Sequence, residues 1–204
     1  MSTRRIFLLS PANVGGERAA LLFRPDADFD LAHRLRRGEA SLGETFAFIS
    51  GLYFRGKLLY AERFAAPPQD IPGAWVITSS FGLMPPDTLV ALGHLRQIAA
   101  VPIEASEPRY REPLERGCRS LHELTRGECD FILLGSVATM KYLEPMSAIF
   151  GDRLLFPQEF IGRGDMSRGG LMVRCARSGE ELNYAPLGAL TLHGPRPPKL
   201  PRMK

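Results

Sequence analysis

Between Asp130 and Gly170 the chain alternates in a way that few folds accommodate. Phe131–Leu134 is a short apolar run closed by Gly135 and Ser136, and a helical segment is expected from about Val137 to Phe150. Asp152 to Phe156 is a second apolar run, and Pro157 to Gly170 then reads as a loop with four glycines, two arginines and two acids. Apolar strands joined through a helix call for a crossover and a parallel pairing. In an open parallel sheet, ligands collect outside the carboxyl ends of the strands. The glycine-rich loop is therefore the expected working surface.

The rest of the chain repeats the alternation. Arg5 to Ser10 is a compact apolar run that predicts a central strand. It leads into Pro11-Ala12-Asn13-Val14-Gly15-Gly16, a turn with a helix expected from about Arg18. The glycine spacing there is neither a dinucleotide fingerprint nor a Walker loop. Asp28 is placed to cap a short helix carrying Leu31 and Leu35 and ending near Gly38, and Ser41 with Glu44 resembles a capping box. From there to Ala65 the pattern is helical, broken or bent at Gly51 and Gly56, and more apolar than one stripe requires. Arg55, Lys57, Glu62 and Arg63 read as its partial polar face.

Ala74 to Thr78 predicts the second strand, ending in the polar loop Ser79 to Asp87. Asp87 is expected to cap a helix with Leu89, Leu92 and Leu95, and Ile98 to Ile103 to form a third strand. Pro113 suits the first turn of a further helix whose apolar face carries Leu114, Cys118, Leu121 and Leu124. Pro145 predicts a kink after the fourth strand. Leu171 to Cys175 and Glu181 to Pro186 read as an edge hairpin around Ser178-Gly179. Together these predict a three-layer α/β/α domain over residues 1–192 with a mainly parallel central sheet, followed by a basic Pro-rich tail over 193–204.

Charge bears on partners through that tail. Arg196, Lys199, Arg202 and Lys204, taken from the 26 basic residues, leave 22 against 22 acidic ones, so the body is neutral and the excess of +4 sits at the end. Such a segment suits either contact with a phosphate backbone or plain solvation. The three cysteines, Cys118, Cys129 and Cys175, match no metal spacing and read as buried thiols in a reduced cytoplasmic setting. The four histidines lack zincin or finger spacing, so neither a metal nor a cofactor is expected. No signal-peptide layout opens the chain, and the longest uncharged apolar stretch, Thr45 to Phe54, is too short to span a bilayer.

Four strand-end loops are expected to meet at one rim. They bring Asn13 and Arg18, then Ser79 and Ser80, then Ser136, then Glu159, Arg163, Asp165 and Arg168. Arginines grip planar anions bidentately, so Arg163 and Arg168 suit phosphate or carboxylate, and Asp165 or Glu159 suits a general base. The competing reading makes Asp165, between two arginines, part of an ion-pair network that pins a long loop.

The turn Leu133-Leu134-Gly135-Ser136-Val137-Ala138-Thr139-Met140-Lys141 resembles the strand-turn-helix of uracil-DNA glycosylases, with its Leu-Leu-Trp-Gly-x-x-Ala-x-Lys-Lys pattern. Phe156-Pro157-Gln158 stands where that family has His-Pro-Ser, and Ser10-Pro11-Ala12-Asn13 where it has Gly-Gln-Asp-Pro-Tyr. Leu52-Tyr53 through Tyr60-Ala61, with Phe81-Gly82-Leu83-Met84-Pro85-Pro86-Asp87, is similar to an uncharacterised bacterial branch of the same superfamily. The stretch with Thr78-Ser79 and Gly82-Leu83 also resembles a domain of archaeal tRNA-deazaguanine enzymes.

The resemblance implies a protein directed at a nucleobase or nucleotide, with a glycosylase-like enzyme acting on DNA or RNA as the sharpest form. In that form Asn13 positions water, Arg163 and Arg168 hold backbone phosphate, and Phe23 or Phe81 stacks on a flipped base. The family histidine is replaced by Phe156, which also leaves open a non-catalytic module for a nucleotide or small phosphorylated ligand, or a protein-interaction scaffold.

Overall fold

The computed structural model describes residues 4–135 and 143–190, with 194, 197, 198 and 200 of the C-terminal stretch. Strand β1 (Arg4–Leu9) is followed by helices α1 (Glu17–Phe23) and α2 (Asp30–Arg37), strand β2 (Ala40–Ser41), and helices α3 (Leu42–Ser50) and α4 (Leu52–Phe64). Strands β3 (Ala74–Thr78), β4 (Gly82–Met84) and β5 (Leu89–Val90) lead to α5 (Leu92–Ala100) and α6 (Pro108–Leu124). Then come β6 (Cys129–Leu134), α7 (Leu143–Phe150), β7 (Leu154–Pro157), α8 (Asp165–Ser178) and β8 (Tyr184–Pro186).

Among the described residues, six strands form one sheet in the order β4-β3-β1-β6-β7-β8. The inner four are parallel, and β4 and β8 pair antiparallel at the two edges. β1 and β6 lie at the centre, with Ile6 to Leu9 and Phe131 to Leu134 fully buried. Burial on both faces explains why these strands read as unbroken apolar runs. Crossovers are right-handed, so the connection that moves from β1 to β3 and those that move the other way place their helices on opposite faces. α4 packs on β1 and β3 and against α8; α6 and α7 pack on the opposite face. The result is the expected three-layer α/β/α architecture, and no helix among the described residues is long and apolar enough to cross a membrane.

Several local expectations hold. α2 ends at Gly38 in the left-handed region, Ser41 Oγ accepts the Glu44 N–H at 3.1 Å, and β3 occupies the expected span. Gly51 separates α3 from α4 with φ 63° and ψ −130°, a conformation that a side chain would strain.

Others do not hold, and the reasons are tertiary. Ile98 lies inside α5, not a strand, because Leu95 and Ile98 share the buried face three residues apart. Asp87 caps no helix: β5 pairs with β2, and α5 opens with the Ala91 N–H on His94 Nδ1 at 2.9 Å. Residues 82–84, expected as loop, form β4. Asp28 bonds His33 instead of capping α2. α6 starts at Pro108, so Pro113 is interior, and Leu124 is 62% exposed. Pro145 lies in α7; residues 137–142 of the expected helix lie outside the described residues.

The largest correction concerns 157–170. A single turn of 3-10 helix covers Gln158–Phe160, and α8 starts at Asp165 and absorbs the expected strand 171–175. β8 pairs with β7 instead. A run of five apolar-rich residues does not by itself separate a strand from a buried helix. Here Arg168, Gly169, Met172, Val173 and Cys175 are buried on α8, which lies along α4.

Candidate functional site

Because β1, β3, β6 and β7 run parallel, the segments that follow them leave the sheet at one edge. In chain order these strands lie second-first-third-fourth across the sheet, so the direction of winding reverses between β1 and β6. Open α/β sheets take their ligands at this edge, and here the loop after β1 shares a cleft with the loop after β3 and the end of α5.

The β1 loop forms one wall. Asn13 is exposed; its Oδ1 accepts the Gly15 N–H at 3.1 Å and its carbonyl accepts the Gly16 N–H at 3.1 Å, which folds the turn back on itself. Asn13 lines two adjoining clefts. One, of about 260 Å³, continues along Pro11 to Gly15, Ser79 and the end of α5 up to Ile103. The other, of about 360 Å³, is bounded by Gly16, Glu17, Arg18, Ile49 and Ser50. Arg18 is exposed, and among the described residues nothing pairs with its guanidinium. A β-carbon on Gly51 would lie 2.7 Å from Arg18 Nη1, so the glycine break between α3 and α4 is what lets this arginine lie across the backbone.

The β3 hairpin contributes less than its polarity suggests. Ser79 is 1% exposed and its Oγ donates to the Ile98 carbonyl, tying the hairpin to α5. Ser80 Oγ is buried without a partner among the described residues. Phe81 is half-buried and meets His94 edge-on at 5.7 Å. Phe23 packs against the core from the end of α1.

After β7, the charged residues are largely committed to the fold. Glu159 Oε1 accepts from the Asn183 N–H at 3.1 Å and from Asn183 Nδ2 at 2.8 Å, holding the approach to β8. Arg163 donates from Nε to the Glu159 carbonyl at 2.9 Å and from Nη1 to Ser167 Oγ at 3.2 Å. Arg168 is 8% exposed, donates from Nε to the Phe160 carbonyl at 3.2 Å and stands over the Phe160 ring. Asp165 is exposed in the first turn of α8, 3.7 Å from Arg168. Arg163 lines a separate groove, with Pro197, Pro198 and Leu200 on its far side. The structure therefore joins Asn13 with Ser79 and, across the turn, with Arg18. It leaves Arg163 apart, and Ser136 lies outside the described residues.

Sequence reasoning missed Lys57. It lies in α4 at 1% exposure and donates from Nζ to the Ser10 carbonyl at 2.9 Å and to Ser10 Oγ at 2.7 Å. Its ammonium also stands 4.0 Å from the centre of the Tyr53 ring. Burial pushes its pKa down from 10.5 to about 7; Asp165 opposes that shift and Arg168 adds to it. Buried lysines of this kind cluster at functional sites, and this one sits at the end of the central strand. One signal was available. Lys57 is four residues after Tyr53 and three before Tyr60, both on the buried face of α4, so its spacing belonged to the core and not to the polar face.

No protein-family model, curated protein or solved structure matches this chain.

Proposed function

We propose that the protein binds a nucleotide or another small phosphorylated ligand in the clefts beyond the carboxyl end of β1. The observation that carries this reading is the pairing of two clefts on Asn13 in the loop after β1, with the exposed Arg18 lining the second of them. A guanidinium without a partner among the described residues is a bidentate site for a phosphate, and apolar walls such as Ile98, Val101 and Ile103 suit the flat face of a base. Among the described residues the Asn13 Nδ2 group has no partner, since only Oδ1 is used by the turn, and its two donors face a ligand.

The test is a thermal-shift and calorimetric series with nucleoside mono- and diphosphates, free nucleobases and inorganic phosphate. A nucleotide is expected to raise Tm more than phosphate or base alone, and Arg18→Ala to abolish the difference. Equal shifts in wild type and variant, or none with any compound, would remove the reading.

Base excision is the catalytic form of the same proposal. It is supported by the position of Asn13 at the cleft, and it predicts free base released from modified DNA or RNA. Binding without release leaves a sensing module.

A further inference from the structure

We propose that Ser10 and Lys57 form a nucleophile–base pair that attacks ester-type acyl groups at the carboxyl end of β1. The proposal goes beyond ligand binding at Arg18 and does not depend on it.

Ser10 directly follows β1, and its N–H is held by the Leu134 carbonyl at 3.1 Å, so the backbone beneath the hydroxyl is fixed by both central strands. Lys57 Nζ lies within hydrogen-bond distance of Ser10 Oγ, as a general base must. Gly135 faces the hydroxyl from β6; a β-carbon there would lie 2.9 Å from Ser10 Cβ and 3.1 Å from Oγ. Glycine at that point adds no side chain of its own beside the nucleophile. Ser10 retains 5% exposure, and the residues that follow it, Pro11 to Gly15, wall the cleft of about 260 Å³.

The surroundings of Lys57 suit both of its protonation states. The ammonium has three donors, and it meets the Ser10 carbonyl, Ser10 Oγ and the Tyr53 ring face. The neutral amine has two donors and one acceptor. It keeps the carbonyl and the ring and accepts the Ser10 hydroxyl proton, with no heavy atom moved. Among the described residues, the charged groups that bear on it come from α8: Asp165 favours the ammonium, and Arg168 the amine. A purely structural anchor needs only the charged form; burial that brings the amine near neutrality prepares the other.

Neutral Lys57 takes the hydroxyl proton while Ser10 Oγ bonds to the acyl carbon. The carbon–oxygen bond to the leaving alcohol breaks, and the alkoxide takes that proton from Lys57. Water, deprotonated by Lys57, then bonds to the acyl carbon, the bond from that carbon to Ser10 Oγ breaks, and Oγ takes the proton back from Lys57 as the acid leaves. The arrangement is a serine–lysine variant of the nucleophile–base logic known from unrelated folds.

The full chain is incubated with a fluorophosphonate probe, and the labelled residue is located by peptide mass spectrometry. Labelling of Ser10 is expected in wild type, with loss of fluoride and the proton passing to Lys57. None is expected in Ser10→Ala, and a rate at least tenfold lower in Lys57→Met, with folding checked by circular dichroism. Failure to label Ser10, or an undiminished rate in folded Lys57→Met, overturns the proposal. Should Lys57→Met not fold, the wild-type pH profile decides. The labelling rate is expected to rise through pH 7 and level off by pH 8.5, and a rate that follows hydroxide alone, tenfold per pH unit to pH 9, overturns it.

Discussion

Gly56 of α4 and Gly169 of α8 meet so closely that a β-carbon on Gly56 would lie 2.8 Å from the Gly169 carbonyl oxygen. The approach is mutual, since a β-carbon on Gly169 would lie 2.9 Å from the Leu52 carbonyl oxygen and from Tyr53 Cα. Two helix backbones are in contact, and that contact sets the height of Lys57 above Ser10 one residue further along α4.

Gly169→Ala is therefore expected to destabilise the protein. Overpacking a tight contact costs about 1–3 kcal/mol. The helix-propensity gain from glycine to alanine is about 1 kcal/mol and offsets part of it. Urea unfolding of the variant checks the balance: a midpoint at or above that of wild type would mean that the helices are not in backbone contact.

Lys57 gives a pH signature. Its folded-state pKa is about 7, below its ordinary 10.5. Below pH 7 it is charged in both states, and the burden of burying that charge is fully present. From pH 7 to 10.5 the unfolded chain holds more protons, so stability rises with pH, by up to about 1.4 kcal/mol per unit. Lys57→Met lacks this contribution. Its stability relative to wild type is expected to be greatest below pH 7 and to fall steadily toward pH 10, measured by denaturant unfolding of both proteins. A difference that does not change with pH would place the lysine in water.

A buried chain of hydroxyls ties α4 to β8. The Leu182 N–H donates to Tyr60 Oη at 2.8 Å, and Tyr184 Oη donates to Glu181 at 2.8 Å. Tyr60 must then donate to Tyr184 across the 2.6 Å between their hydroxyls, because the Tyr184 proton is already used. Arg5 closes the chain on Glu181 at 2.6 Å. Tyr184→Phe strands the Tyr60 donor and is expected to cost about 1–3 kcal/mol. A Tyr60→Phe, Tyr184→Phe double-mutant cycle measures the coupling, and strict additivity would contradict the chain.

Two arginines read alike in the sequence and are expected to behave in opposite ways. Arg168→Ala removes a buried guanidinium that bonds the Phe160 carbonyl, and a loss of about 1–3 kcal/mol is expected with ligand response retained per folded molecule. Arg18→Ala is expected to leave unliganded stability within about 0.5 kcal/mol, as for an exposed side chain, while removing the nucleotide-induced shift. Thermal melts with and without nucleotide separate the two. The reverse pattern would move the anion site from the β1 turn to the start of α8.

Local signals were strong where a segment's neighbours repeat one pattern. β1, β3 and β6 are unbroken apolar runs with turns behind them, and the Ser41 cap needs only its own four residues. They failed where an apolar run is short and the partner distant. Residues 171–175 look the same as strand or buried helix until α4 is placed against them. The site followed the same division. Asn13, Arg18 and Ser79 were legible because they follow strands. The tasks of Ser79, Glu159 and Arg168 were not, because their partners, Ile98, Asn183 and Phe160, are set by packing.

The alternation of strands with helices, the central place of β1 and the mainly parallel sheet were read from apolar periodicity and the need for crossovers. Which charged groups remain open to a ligand, and that a lysine would be drawn into the core beside Ser10, depended on the mutual approach of α4 and α8. Burial and hydrogen-bond partnership are properties of two surfaces in contact, and a single stretch of chain carries only one of them.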